Sequence, residues 1–334
     1  MRDGNMNPVP FRERLAREAF PITYEAISPR SGEVRQHIEK FAALPCLTHI
    51  AGVNLTNNPS ARVRVDPAAY GHLLMDACGV DVLAHITCRD DTLAGIQRWL
   101  FGAWALGVKN VVVMTGDHPK EGDYPEERRV DSVNAIELIA GITKFINKGS
   151  LIPDIMTPAA SRYANRFAPP PPPRATDPHD FYVGAPLIPW RNNEDQYAKA
   201  KLEAGAQYFQ SQITWEAAPT LDWLAKMEEK RILGKDSPYR DVAVLVGSSP
   251  LKTVRTLEFM HNAIPFVKVP EPVRKRLKDA PDFAQESVRI VLEMFAQLKD
   301  GARSRGLSTK VGAHVLPIND DSLGNAIVEG VAKL

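Results

Sequence analysis

The chain is poor in cysteine. Cys46, Cys78 and Cys88 are all it has, an odd number with no Cys-x-x-Cys pair. This argues against a disulfide framework and leads us to expect a reducing, cytoplasmic setting. Long apolar runs are missing too. The longest, such as Val111–Met114 and Val242–Val246, are strand-sized, whereas a membrane span takes roughly 20 apolar residues. The N-terminal MRDGNMNPVPFRERLAREAF has no continuous apolar stretch and does not read as a secretory signal. Neither charge dominates: 41 Lys+Arg against 40 Asp+Glu give a net charge of +1, which supplies no global pull toward nucleic acid or an anionic membrane. No G-x-G-x-x-G follows the first strand-like segment, which weighs against an open dinucleotide-binding sheet.

What is present is alternation. Eight short β-rich runs recur: Pro21–Ile27, Cys46–Leu55, Val80–Thr87, Asn110–Thr115, Phe181–Ala185, Ala206–Ile213, Asp241–Gly247 and Lys310–Leu316. Helix-like stretches lie between them, and a last one, Ser322–Ala332, closes the chain. Strand–helix alternation of this kind predicts a parallel sheet. Eight units in 334 residues predict a closed (β/α)8 TIM barrel in one domain over residues 1–334, with a doubly wound sheet as the runner-up. Asp91 is expected to cap the helix that follows the third strand, Gly107 to end it, and Pro67 to begin the helix before it. Residues 151–180 break the rhythm. They include Pro169–Pro173, which favours an extended strap, read here as a surface excursion.

A barrel of this type places its chemistry at the C-terminal ends of the strands. The polar residues at those ends are Glu25, Thr56-Asn57-Asn58, His85-Ile86-Thr87, Thr115-Gly116-Asp117, Gly184-Ala185, Gln212, Gly247-Ser248-Ser249 and Asn319. From the residues alone, Glu25 could equally be an acid paired with Arg30, Asp117 an Asx-turn residue, and Gln212 a core amide tied to backbone. His85-x-x-Cys88 brings a metal to mind. A zinc site needs three or four ligands and no second Cys/His cluster is visible, so no metal is expected.

Several of these segments together carry a resemblance. TYEAISPR, NLTNNP, HITCRD, GVKNVVVMTGDHP, FYVGAPLIP and KLEAGAQYFQSQITW are similar, in this order, to the strand motifs of the methylenetetrahydrofolate reductase family. The resemblance runs from about Phe20 to the C-terminus. It implies FAD held at the strand ends and hydride passing from NAD(P)H through the flavin to 5,10-methylenetetrahydrofolate, giving 5-methyltetrahydrofolate, or the reverse. Glu25 matches the family's general acid, Asp117 the carboxylate beside flavin and pterin, and Gln212 the substrate-binding glutamine. These three are therefore the implied catalytic and substrate-binding residues. Thr56, His85, Thr115, Gly116, Ser132, Gly184, Ala185, Glu194 and Lys201 match positions around the cofactor. For Glu194 and Lys201 the residues by themselves read as a solvated helical face.

The resemblance fails at two places. Val254 stands where some members carry a stacking phenylalanine, and Asn319-Asp320 stands where an Asn-Arg pair is common. Trp190 or Trp215 could supply stacking instead, and Lys252 or Arg255 a carboxylate partner. Two alternatives follow: a member that takes electrons from a partner protein rather than NAD(P)H, and a flavin-free barrel lyase or transferase using Glu25 and Asp117 as acid and base.

Overall fold

The computed structural model describes residues 8–153, 176–318 and 320–334. The polyproline run of the expected strap and Asn319 lie outside the described residues. Eight parallel strands close on themselves in sequence order. They are β1 Ile22–Ala26, β2 Gly52–Leu55, β3 Val82–Thr87, β4 Asn110–Met114, β5 Tyr182–Leu187, β6 Tyr208–Ile213, β7 Ala243–Ser248 and β8 Lys310–Val315. The closing pair is β1 with β8, in register Ile22↔Ala313 and Thr23↔His314. The helices are α1 Phe11–Arg17, α2 Arg35–Ala42, α3 Pro67–Cys78, α4 Leu93–Ala105, α5 Ala135–Lys144 and α6 Glu194–Ala204, followed by α7 Ala218–Glu229, α8 Val254–Ala263, α9 Glu271–Asp279, α10 Phe283–Ser304 and α11 Asp321–Val331. The expected (β/α)8 barrel is the observed fold.

The β-branched runs form these strands because both faces are covered. Each strand has one face against the helices and the other inside the barrel, so β3 and β7 are buried along their whole length. The helix-facing core takes in Val53, Val111, Val183, Phe209 and Val244. A second apolar cluster fills the barrel's lower interior: Leu83, Val112, Tyr182, Tyr208, Ala243 and Leu245, with Phe11 and Leu15 of α1. The i, i+4 pair Phe11 and Leu15 explains α1. Both side chains point one way on a single helix face and plug the barrel's N-terminal end. The backbone N–H of Phe11 donates to the buried Asp81 carboxylate at 2.7 Å, and Asn110 donates to the same oxygen at 2.8 Å.

Three local expectations changed. The second strand is shorter than Cys46–Leu55, because Pro45–His49 forms a 3₁₀ turn with proline at its start, where a missing N–H is tolerated. Asp91 does not cap α4. Thr92 does, its hydroxyl accepting from the Gly95 N–H at 3.2 Å. The helices α1 and α9 were not foreseen. Gly107 does follow α4, with φ +81°, and Pro67 does open α3, capped by Asp66.

Candidate active site

Alternation along the strands decides which polar residues meet. Inside the upper barrel, six side chains from five strands form a polar layer: Thr23 and Glu25 of β1, Asn54 of β2, His85 of β3, Gln210 of β6 and His314 of β8. The Asn54 amide is the hub. Its Oδ1 accepts from Gln210 Nε2 at 2.7 Å and lies 3.4 Å from His85 Nε2. Its Nδ2 lies 3.4 Å from His314 Nδ1, and Thr23 Oγ1 lies 3.1 Å from the same nitrogen. His314 Nε2 faces Glu25 Oε2 at 3.9 Å.

Burial sets the protonation of this layer. Glu25 keeps only 15% side-chain exposure, and loss of solvent pushes its carboxyl up to about 7. The same desolvation pushes His85 down to about 4. His314 falls to about 3, through burial first and the neighbouring His85 second. At neutral pH both imidazoles are therefore uncharged, and Glu25 sits near half-protonation. The alternative pairing of Glu25 with Arg30 is not formed, because Arg30 donates to Asp123 at 2.6 Å.

The mouth above this layer carries the other β4-end residues. Asp117 is exposed, and its Oδ2 accepts from the Ser60 backbone N–H at 2.6 Å, joining the loops after β2 and β4. Its backbone carbonyl accepts from the buried Arg89. Thr115 is exposed, and Gly116 has φ +89°. Thr56 is buried and its hydroxyl has no hydrogen-bond partner. Beside it, a polar cleft between the β2 and β3 loops is lined by Asn57, Asn58, Arg64, Asp90 and Trp99. Arg64 Nε is also buried without a partner, and burial together with Arg30 and Arg62 lowers the pKa of that guanidinium. Ser132 is half-buried beside Asp131, whose φ is +40°.

Other residues singled out from the sequence have clear structural duties. A Cβ on Gly184 would lie 2.3 Å from the Tyr208 ring, so packing inside the barrel demands glycine there. Ala185 is fully buried in the core between sheet and helices. Glu194 and Lys201 do not form a solvated face. Glu194 is buried and accepts from the Ile188 N–H at 3.1 Å and from Arg191 Nε at 2.6 Å. Lys201 donates to the Pro186 carbonyl at 2.6 Å and lies 3.9 Å from Glu194. Its burial pulls the amine down to about 8, against the opposing pull of Glu194.

Gln212 lies within a register irregularity of β6, between Gln210 and Ile213. Its Oε1 accepts from its neighbour Ile213 and its Nε2 donates to the Pro265 carbonyl at 3.3 Å, so it stands outside the Asn54 network that Gln210 enters. Trp215 is buried and donates to the Ser249 carbonyl. Trp190 donates to the carbonyl of Phe266, which is 51% exposed at φ +63°. Lys252 is held by Asp320 at 2.8 Å. The sequence reading passed over Thr23, Asn54, Gln210 and His314. Only Thr23 had an available signal: it lies two residues before Glu25, the period that keeps side chains on one face of a strand. Cys88, three residues after His85, is buried with its thiol pushed up to about 12. Among the described residues no cluster of three or more His, Cys, Asp or Glu side chains is arranged to hold a metal ion.

Comparison with known proteins follows this geometry. The family model described as methylenetetrahydrofolate reductase matches residues 10–160. A probable methylenetetrahydrofolate reductase (NADPH) of Caenorhabditis elegans is 24% identical over 144 residues, which is 43% of this chain and 18% of that protein. The matched stretch is thus less than a fifth of that relative's length. In three dimensions, an uncharacterized protein from Clostridium thermocellum that binds two copies of 5-methyl-5,6,7,8-tetrahydrofolic acid superposes with TM-score 0.63 at 15% identity, covering 97% of this chain and 99% of its own. A long-chain alkane monooxygenase superposes at TM-score 0.51 with 8% identity, over 95% and 92% of the two chains. At such identities these two establish the shared barrel and nothing finer. Residues 10–160, which hold Glu25, Thr56, His85 and Thr115-Gly116-Asp117, are thus the part of the chain that is similar to the methylenetetrahydrofolate reductase family.

Proposed function

We propose that the protein is a flavin-dependent oxidoreductase that interconverts 5,10-methylenetetrahydrofolate and 5-methyltetrahydrofolate. The observation that carries this reading is Glu25. It is a carboxyl at the end of β1, desolvated to a pKa of about 7 and without a cationic partner among the described residues. Opening the methylene bridge requires a proton on the departing ring nitrogen. A group half-protonated near neutrality is suited to deliver that proton, and to take it back in the reverse direction. Asp117, at the exposed mouth, would hydrogen-bond a pterin ring. Gln212, at the same end of the barrel, has an amide that can turn from Pro265 toward a ligand.

The residues at the mouth fit a flavin nucleotide. The buried, unpartnered Thr56 hydroxyl and Arg64 Nε are polar atoms that a ligand would satisfy, since such groups are costly to leave unmet. Arg64, near Arg62 and the Arg30–Asp123 pair, is the cation in that cleft that a diphosphate would meet, among Asp66, Asp90 and Asp91. Thr56, His85, Thr115, Gly116, Asp117 and Ser132 are the residues that would hold FAD. Gly184, Glu194 and Lys201 would shape its floor and rim from positions already packed or bound to protein groups, and Ala185, between sheet and helices, would act only by supporting its strand. Bound FAD would supply the two-electron carrier between a reduced nicotinamide and the folate. A nicotinamide donor agrees with the name of the nematode relative, and a folate ligand agrees with the Clostridium structure.

Titrating the purified protein with FAD and with FMN tests the reading. Quenching of FAD fluorescence, followed by reoxidation of the reduced complex by methylenetetrahydrofolate, supports it. Absence of quenching at high protein concentration refutes it and favours the flavin-free barrel chemistry.

A further inference from the structure

We propose that His314 is a positioning residue for Glu25: Asn54 holds its ring in the tautomer that carries the proton on Nε2, and this N–H faces the carboxyl that gains and loses the proton. The proposal deepens the assignment of Glu25 as proton donor and rests on it.

The argument runs through the hydrogen-bond roles in the polar layer. The Gln210 amide nitrogen can only donate, and it lies 2.7 Å from Asn54 Oδ1. With the Gln210 amide in this orientation, Oδ1 is the acceptor end of Asn54. Its other end, Nδ2, is then a donor lying 3.4 Å from His314 Nδ1. Thr23 Oγ1 lies 3.1 Å from the same nitrogen and 3.4 Å from the Ala313 carbonyl, and the shorter contact is the one that its single proton serves. Nδ1 must therefore be the bare acceptor. A neutral imidazole carries one ring proton, so that proton is on Nε2, the atom 3.9 Å from Glu25 Oε2. At 3.9 Å the two groups face each other without a formed hydrogen bond, and catalytic hydrogen bonds often tighten only when substrate is bound. His85 is fixed by the same hub: its Nε2 faces Asn54 Oδ1, an acceptor, and so bears its proton there.

The consequence concerns charge. When Glu25 gives its proton to the substrate's ring nitrogen, its O–H bond breaks, an N–H bond forms and the carboxylate charge appears inside the barrel. The titratable groups that share this layer with Glu25 are His314 from β8 and His85 from β3. The inward side chains Asn54, Met114, Gln210 and Leu245 from the other strands do not titrate, and Gly184 has no side chain. The His314 N–H is thus the donor that faces the nascent carboxylate. It keeps the cost of forming that charge low enough for the proton to move in both directions near neutral pH.

The experiment uses the full chain without flavin or folate. Long-range ¹⁵N–¹H NMR on ¹⁵N-histidine-labelled protein reports the tautomer of His314, assigned with His314→Gln. Infrared titration of the protonated carboxyl band, assigned by its loss in Glu25→Gln, reports the Glu25 midpoint. We expect the Nε2–H tautomer in the native protein. We also expect His314→Phe to raise the Glu25 midpoint by about one pH unit, roughly a tenfold change in proton affinity. His314→Gln keeps an N–H donor and should restore most of that shift. A proton on Nδ1 overturns the proposal. So does an unchanged Glu25 midpoint in folded His314→Phe. Should that variant fail to fold, Asn54→Leu serves in its place: it frees the ring, and loss of the single tautomer is expected, whereas an unaltered tautomer refutes the Asn54 lock. Because no folate is present, failure here leaves the folate assignment standing, and failure of that assignment leaves these readings unchanged.

Discussion

Replacing Glu25 with glutamine should change how stability depends on pH. In the unfolded chain a glutamate has its ordinary value of 4.5, while in the folded protein burial raises it to about 7. Between these values the unfolded chain has released its proton and the folded protein has kept it. Stability therefore falls as pH rises through the window from 4.5 to about 7. At about 1.4 kcal/mol per pH unit, the span costs the folded protein about 3 kcal/mol in full, and about 2.5 kcal/mol between pH 5 and pH 8. Glutamine does not titrate and loses nothing across this range. His85 and His314, lowered to about 4 and about 3, act in the opposite sense. Their contribution is present above the unfolded value near 6.5 and is lost as pH falls toward those folded values. Because both proteins contain them, they cancel in the comparison. Urea unfolding of the apoprotein and of Glu25→Gln at pH 5 and pH 8 measures the difference. The variant should gain about 2.5 kcal/mol on the wild type between the two pH values. Identical pH dependence in the two proteins would show that Glu25 ionises normally and that the buried layer does not poise it.

Three further outcomes follow from the geometry. Asp117→Asn should lower folate turnover while changing stability by less than about 1 kcal/mol, as expected for an exposed loop residue; unaltered turnover with an unaltered flavin potential would remove Asp117 from the site. Glu194→Gln leaves the buried Lys201 and the half-buried Arg191 facing a neutral amide and should cost about 3–5 kcal/mol by chemical denaturation, the penalty for breaking a buried pair; a loss below about 1 kcal/mol would show that water already satisfies these cations. Gly184→Ala forces a methyl to 2.3 Å from the Tyr208 ring and should cost about 1–3 kcal/mol in unfolding experiments; truncating that ring in Gly184→Ala/Tyr208→Leu should relieve the clash, and no relief would place the strain elsewhere.

The barrel was legible because its strands are buried over most of their length and its helices amphipathic. Runs such as Val111–Met114 cannot be solvated loops, and eight of them separated by helix-length segments leave few arrangements other than closure. Helix α1 was not legible, since two apolar residues in a charged tail acquire meaning only against the open base of a barrel. Helix α9 buries Leu277 and little else. At the site, Glu25 and His85 stood out as polar residues at strand ends. Asn54, Gln210 and His314 did not, because a buried amide or imidazole inside a strand carries no local signature. Their partners come from strands as distant as β2 and β8, and the network exists only once the cylinder closes. Glu194 and Lys201 looked like surface charges for a related reason: the loop that buries them, with the Ile188 N–H and the Pro186 carbonyl as partners, cannot be read from charge spacing.

Stopped-flow kinetics of the two half-reactions of Glu25→Gln test the central claim most directly. Flavin reduction by a nicotinamide needs no proton from this residue, whereas opening the methylene bridge does. The folate half-reaction should slow by roughly 10²–10⁴-fold, the range of general acid catalysis, while the nicotinamide half-reaction stays within a few-fold of the wild type. Equal slowing of both would make Glu25 a structural residue, and unchanged folate reduction would contradict the assignment of the proton donor on which the account rests.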